Sequence, residues 1–291
     1  METLNTANQK LLKSYIDKRE LKQNTINNYN FIFTKIQNAL SKPNITDNTI
    51  QGLVKELSKS KLPITTINKF YSIYKNIIDK EDASLIELEL IKNKNVVDKQ
   101  TKERTKTQTK EGIVSYQDLL DLLEKVEGSD YLLLYLLLKY GVRNKDLIID
   151  FTNDKNVING VEKGNIEKNI MYFKNNKLFY TRNDYKTKDK YGVLKYEIKD
   201  KKFKSLIKEL EYDNFIFEDR NGLPFDTSTI GNYIKRTFNK YIENSDLSES
   251  KIYKLMIDKL TLLNDKERII ELSKSRGHNL LTQDKYYSND Y

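Results

Sequence analysis

Between Lys92 and Lys110 the chain reads KNKNVVDKQTKERTKTQTK, with seven basic and two acidic side chains and almost nothing apolar after Val97. A stretch of this kind has no surface to bury and cannot build a core. It therefore divides the 291 residues into two units, 1–94 and 113–291, joined by a basic linker at 95–112. A solvated flexible linker is the simplest reading of the joining segment, and a basic one can also lie along a chain of phosphates.

Upstream of that stretch, residues 7 to 90 show helical periodicity broken by polar loops, with KPN at 42–44 and KLP at 61–63 as the clearest stops. NTINNYNFIFTKI (24–36) and TTINKFYSIYKNI (65–77) begin alike, and Thr25 and Thr66 are candidate N-caps. Two amphipathic helices of one bundle explain the similarity as well as a repeat does. Downstream, Ser115 opens SYQDLLDLLEKVEG with Asp118 as a capping-box partner, and the next helix, DYLLLYLLLKYG, stops at Gly141. Its apolar run from Tyr131 to Leu138 is far short of the roughly 20 residues needed to span a bilayer, so it reads as a buried helix. NIMYF, KLFYTR and VLKYEI, separated by KNN and KTKDKYG, predict a small antiparallel sheet. The fold class expected is mainly α with that one small sheet.

The chain has 51 Lys+Arg against 42 Asp+Glu, a formal net charge of +9. A moderate positive excess favours an anionic partner, nucleic acid first and an acidic membrane surface second, although a Lys-rich solvated surface has the same composition. The absence of cysteine excludes disulfides and thiolate metal sites, and a single histidine leaves little for zinc. The N-terminal METLNTANQKLLKSY lacks the apolar stretch of a signal peptide, which permits an intracellular protein.

Four texts in the second unit occur in an order that resembles the tyrosine recombinase, or phage integrase, family. LLLKYGVRNKDLIIDF (136–151) resembles the text around the family's first catalytic arginine, and NDYKTKDKYGVLKYEI (183–198) its lysine-bearing β-hairpin. FIFEDRNGLPFDTSTIGNYIKRTF (215–238) is similar to its connector, and GHNLLTQDKYY (277–287) to its terminal Gly-His and tyrosine nucleophile. NTINNYNFIF and ITTINKFYSIYK resemble helices of the family's core-binding domain. The resemblance implies a helical core-binding N-terminal domain and a tyrosine-recombinase-like catalytic domain, closing as a clamp on double-stranded DNA. It also implies a homo-oligomer, dimer or tetramer, on that DNA.

Cutting a phosphodiester in this way needs a nucleophile, a proton for the leaving 5′-oxygen and cations for the charge that builds on the phosphoryl oxygens. By resemblance, Arg143 is the first phosphate-binding arginine, although an Arg just past a helix end also complements the helix dipole. Lys186 is the general acid, with Lys188 and Lys190 as rivals on the same turn. His278 donates to a non-bridging oxygen. Tyr287, nine positions after His278, is the nucleophile, ahead of Tyr286 and Tyr291. No metal or nucleotide cofactor is implied. Four residues follow Tyr287, so coupling between protomers through a long C-terminal helix is not expected.

The pattern breaks at SKIYKLMIDKL (250–260), where the family carries His-x-x-Arg. Lys251 stands at the His position and Lys254 at the Arg position. Lysine keeps the charge but loses the two-pronged guanidinium, and losing one preorganised donor costs about 2.7–4 kcal/mol of transition-state stabilisation. Arg268 and Arg276 are candidates to compensate in space. A recombinase, a type IB topoisomerase-like enzyme that relaxes DNA, and a protein that only binds DNA are the three functional readings.

Overall fold

The computed structural model describes residues 4–40, 50–110, 114–243, 245 and 247–277. The chain forms two compact units, Met1–Glu103 and Arg104–Tyr291. The first contains α1 (Leu4–Asp17), α2 (Gln23–Leu40), α3 (Ile50–Lys59), α4 (Ile64–Tyr74) and most of α5 (Lys80–Lys110). Its core gathers Ile32, Phe33 and Ile36 of α2, Leu53 and Leu57 of α3, Phe70, Tyr71 and Tyr74 of α4, and Ile86 of α5. Phe70 sits edge-on to Phe33 at 5.1 Å and stacks on Tyr74 at 4.9 Å, so α2 and α4 meet through aromatic rings.

Two local expectations differ here. Thr25 and Thr66 are not N-caps: α2 begins at Gln23, and α4 begins after Pro63, whose φ of −57° is already set for the cap position. Thr66 instead lies in the first turn, its N–H donating to the Pro63 carbonyl at 2.8 Å. The Lys92–Lys110 stretch is helical, the second half of α5. Residues 80–110 contain no Gly or Pro, and Lys, Glu and Gln are good helix formers, so the backbone needs no buried face to continue.

The second unit opens with α6 (Tyr116–Lys125) and α7 (Gly128–Tyr140). The Ser115 capping box is present: Ser115 N–H donates to the Asp118 carboxylate at 2.7 Å, and Asp118 N–H to Ser115 Oγ at 3.2 Å. Almost every side chain from Tyr131 to Tyr140 is buried, because α7 is the central helix of this core. A 3-10 turn at Asn144–Leu147 leads into β1 (Asp150–Phe151), α8 (Lys155–Glu162), β2 (Asn169–Lys174) and β3 (Lys177–Arg182). The short α9 (Lys188–Tyr191), β4 (Leu194–Ile198), α10 (Lys201–Lys208) and β5 (Asn214–Phe215) follow, and α11 (Thr227–Tyr241), α12 (Glu249–Leu262) and α13 (Lys266–Arg276) complete the unit.

The five strands form one sheet in the order β4-β3-β2-β1-β5. The three longer strands are antiparallel neighbours, as NIMYF, KLFYTR and VLKYEI predict, with Asn175 and Asn176 at φ of 52° and 61° making the β2–β3 turn. The sheet is mixed rather than purely antiparallel, because β1 runs parallel to β2. That pairing requires a crossover, which α8 supplies. β1 and β5 are two residues each and too short to show any period in sequence. Among the described residues no helix is long and apolar enough to cross a membrane.

Candidate active site

Gly141 ends α7 in the left-handed region at φ 58°, and a β-carbon there would approach the Tyr253 ring to 2.8 Å. The turn is thus restricted to glycine both by backbone and by space. It delivers Arg143, half-buried, into an extended conformation at the head of the 3-10 turn. The Arg143 backbone N–H donates to Asp146 Oδ2 at 2.9 Å, and Asp146 is 1% exposed.

What neutralises Asp146 is Arg182, the last residue of β3, which sequence reasoning missed. Arg182 is fully buried. Its guanidinium donates to Asp146 Oδ2 at 2.8 Å, to the Tyr196 hydroxyl at 3.1 Å, and to both the carbonyl and the hydroxyl of Ser275 at 2.8 Å. Ser275 in turn donates its hydroxyl proton to the Tyr140 carbonyl at 2.6 Å. Burial opposes the Arg182 charge, but Asp146 together with the Tyr180 and Tyr196 phenols outweighs it and holds the guanidinium above its ordinary pKa. Burial also pushes the Tyr180 phenol well up, and its hydroxyl donates to the Asp146 carbonyl at 2.6 Å.

The hairpin that carries the candidate lysines is fastened separately. Asn169, 2% exposed at the start of β2, donates its amide to the carbonyls of Lys145, Ile148 and Asp184 at 3.2, 3.3 and 3.0 Å. Lys145 also forms an ion pair with Asp184. The buried Tyr185 donates to the Gly192 carbonyl at 2.6 Å and so closes the base of the loop; burial raises its pKa to about 12. Lys186 is exposed at the head of this loop, and Lys188 and Lys190 lie on α9.

Lys251 and Lys254 lie half-buried on α12, within a turn of Tyr253. Arg276, 2% exposed at the end of α13, stacks over the Tyr253 ring at 4.3 Å. It donates to the Gly141 carbonyl at 3.0 Å and to Ser250 Oγ at 3.3 Å, and it is paired with Glu249. Its fork is thus bound within the protein, joining the first turn of α12 to the segment before Arg143. Arg268 donates to the Lys139 carbonyl and pairs with Glu271. The guanidinium groups of both arginines are thus engaged by partners within the protein.

Gly277 caps α13 at φ 68°, and a β-carbon on it would lie 1.6 Å from Thr187 Oγ1. The glycine therefore packs directly against the hairpin, one residue from Lys186. Structure thus brings together the segments bearing Arg143, Lys186, Lys251 and Gly277. His278, Tyr286, Tyr287 and Tyr291 lie outside the described residues. Among the described residues no cluster of three or more His, Asp or Glu could hold a metal ion. Asn144 Oδ1, Asp146 Oδ1, Arg182 Nε and Thr187 Oγ1 are buried with no hydrogen-bond partner among the described residues, which concentrates unmet polar capacity here.

Of the missed residues, Asp146 had a signal in its place three residues after Arg143. Arg182 had one in being a charge inside a strand of aromatic residues, KLFYTR. No family model matches the chain, and no curated protein matches it in sequence. Among solved structures, the XerA recombinase crystal structure is similar over 97% of this chain and 92% of that one, at 13% identity and a TM-score of 0.34. A likeness that slight bears on neither fold nor function.

Proposed function

We propose that this chain is a tyrosine site-specific DNA recombinase or integrase. The observation that supports this reading is the buried polar network just described. Together with the Asn169 fastening of the hairpin and the Gly277–Thr187 contact, it joins the four segments bearing Arg143, Lys186, Lys251 with Lys254, and the residue before His278, which lie as much as 135 positions apart in sequence. A set of cations gathered from distant segments is what an associative attack on a phosphodiester needs.

In this mechanism the Tyr287 phenol gives up its proton to solvent and its oxygen bonds to the scissile phosphorus while the bond to the 5′-oxygen breaks. Lys186 gives its proton to that oxygen, and Arg143, Lys254 and His278 bind the charged non-bridging oxygens. Attack by a 5′-hydroxyl of a partner strand on the 3′-phosphotyrosine reverses these steps and frees the tyrosine. Relaxation of supercoiled DNA without a partner duplex would instead mark the type IB topoisomerase-like enzyme.

Lys254 favours a second reading, a protein that binds DNA without cutting it, because a lysine offers the phosphate one point of contact where an arginine offers two. Labelled duplexes with a randomised core and a nick in one strand, incubated with the protein and denatured, separate the two. Covalent adducts that disappear in Tyr287→Phe and persist in Tyr286→Phe support the recombinase. Tight binding with no adduct across the pool supports the binding protein.

A further inference from the structure

We infer that Arg182 is a positioning residue that sets the location of Arg143 for phosphate binding; the inference rests on the recombinase reading. Two features of the network carry it. The first is closure. Arg182 reaches Asp146, which accepts the Arg143 N–H, and it also reaches Ser275, which donates to Tyr140. One side chain therefore grips the segment 140–146 from both ends, with Arg143 between the two grips.

The second feature is cost. A guanidinium with no exposed surface gives up all its hydration, and a well-packed apolar side chain at such a place is often as stable or more so. β3 already buries Leu178 and Tyr180 on the same face, four and two residues before, so an apolar residue at 182 would continue its pattern. Stability alone gives little reason for an arginine here. Alignment gives one: a planar fork fixes the direction as well as the distance of each partner, which lysine cannot do. The hairpin has its own fastenings in Asn169 and Tyr185. The effect of Arg182 is accordingly expected on Arg143 rather than on Lys186.

The test uses duplexes recovered as covalent adducts of the full-length wild-type protein from the randomised pool. Adduct formation is timed at saturating duplex for wild type, Arg182→Met, Arg182→Lys, Arg143→Ala and the double variants, with duplex affinity and urea midpoint measured alongside. Arg182→Lys keeps a charge beside Asp146 but cannot hold Ser275 and Tyr196 together, so it carries the test if Arg182→Met does not fold. The expected result is a fall of about a hundredfold in adduct rate, the scale of a misplacement near 1 Å, with affinity unchanged. Neither Arg182 change lowers the rate further once Arg143 is alanine.

A second readout separates alignment from general loosening. With a neutral methylphosphonate at the scissile position the Arg182 variants approach the wild-type rate, because no charged oxygen then needs Arg143. Folded Arg182 variants that cut at the wild-type rate overturn the inference, as does a defect that persists in full on the Arg143→Ala background or on the methylphosphonate. Absence of any adduct from wild-type protein overturns the recombinase reading itself and the inference with it.

Discussion

A β-carbon on Gly277 would meet the Thr187 hydroxyl at 1.6 Å, and its φ of 68° is one that a side chain opposes. Gly277→Ala is expected to destabilise the second unit by more than the roughly 1–2 kcal/mol of the left-handed backbone alone. Thr187→Ala in the same chain removes the hydroxyl clash but keeps a β-carbon at 2.8 Å, so it recovers part of the steric cost and none of the backbone cost, as urea unfolding of the variants measures. Arg276→Met leaves Glu249, 17% exposed, without its partner, and the expected loss is about 3–5 kcal/mol by the same assay. The Gly141 stop of α7 was legible in sequence because a glycine just past an apolar helix is a local signal. Arg182 carried only a slight local signal, a charge among the aromatic residues of KLFYTR, and Asn169 none, because their partners lie up to 93 and 24 residues away.

The β2–β3 hairpin turns through two consecutive asparagines in the left-handed region. Replacing Asn176 by glycine is expected to be neutral or stabilising, whereas valine there costs roughly 1–2 kcal/mol, seen as a lower melting temperature. Carboxylates hold the starts of helices α6 and α11: Asp118 at the third position of α6 and Asp226 at the cap of α11. Hydrogen bonds from the backbone and hydroxyl of Ser115 lower the Asp118 pKa, and those of Thr229 lower the Asp226 pKa, both from an ordinary 3.8. A carboxylate held below its unfolded value contributes stability that is present above 3.8 and lost as pH falls through the lowered value. Asp118→Asn, which keeps an acceptor but does not titrate, is expected to flatten the acid limb of stability against pH. The strands over Asn169–Ile198 and the buried helix α7 could be read from periodicity and composition. β1, β5 and the helical course of Lys92–Lys110 could not, the first two for shortness and the last because charge density hides helix propensity.

Each unit has its own apolar cluster, one across α2, α3, α4 and α5, the other around α7. The fragment 114–291 is therefore expected to fold by itself, a result that circular dichroism on the isolated fragment checks. Burial raises the phenol pKa of Tyr71 in the first unit and of Tyr131, Tyr140, Tyr180 and Tyr185 in the second. A group whose folded pKa is raised contributes stability present below the unfolded value, here 10.0, and lost as pH climbs towards the folded one. Alkaline titration followed by phenolate absorbance is expected to show exposed tyrosines first and these five only together with loss of the circular-dichroism signal. The ring through Tyr140, Ser275, Arg182 and Asp146 has a bearing on heat as well. Its bonds span 135, 93 and 36 residues, whereas the helices around it are held by bonds between near neighbours. Sub-global opening ahead of complete unfolding is common around functional sites, so on the recombinase reading the temperature at which DNA cutting stops is expected to lie below the melting temperature. An assay of residual cutting on samples held at graded temperatures would then register a molecule that is disarmed while still folded.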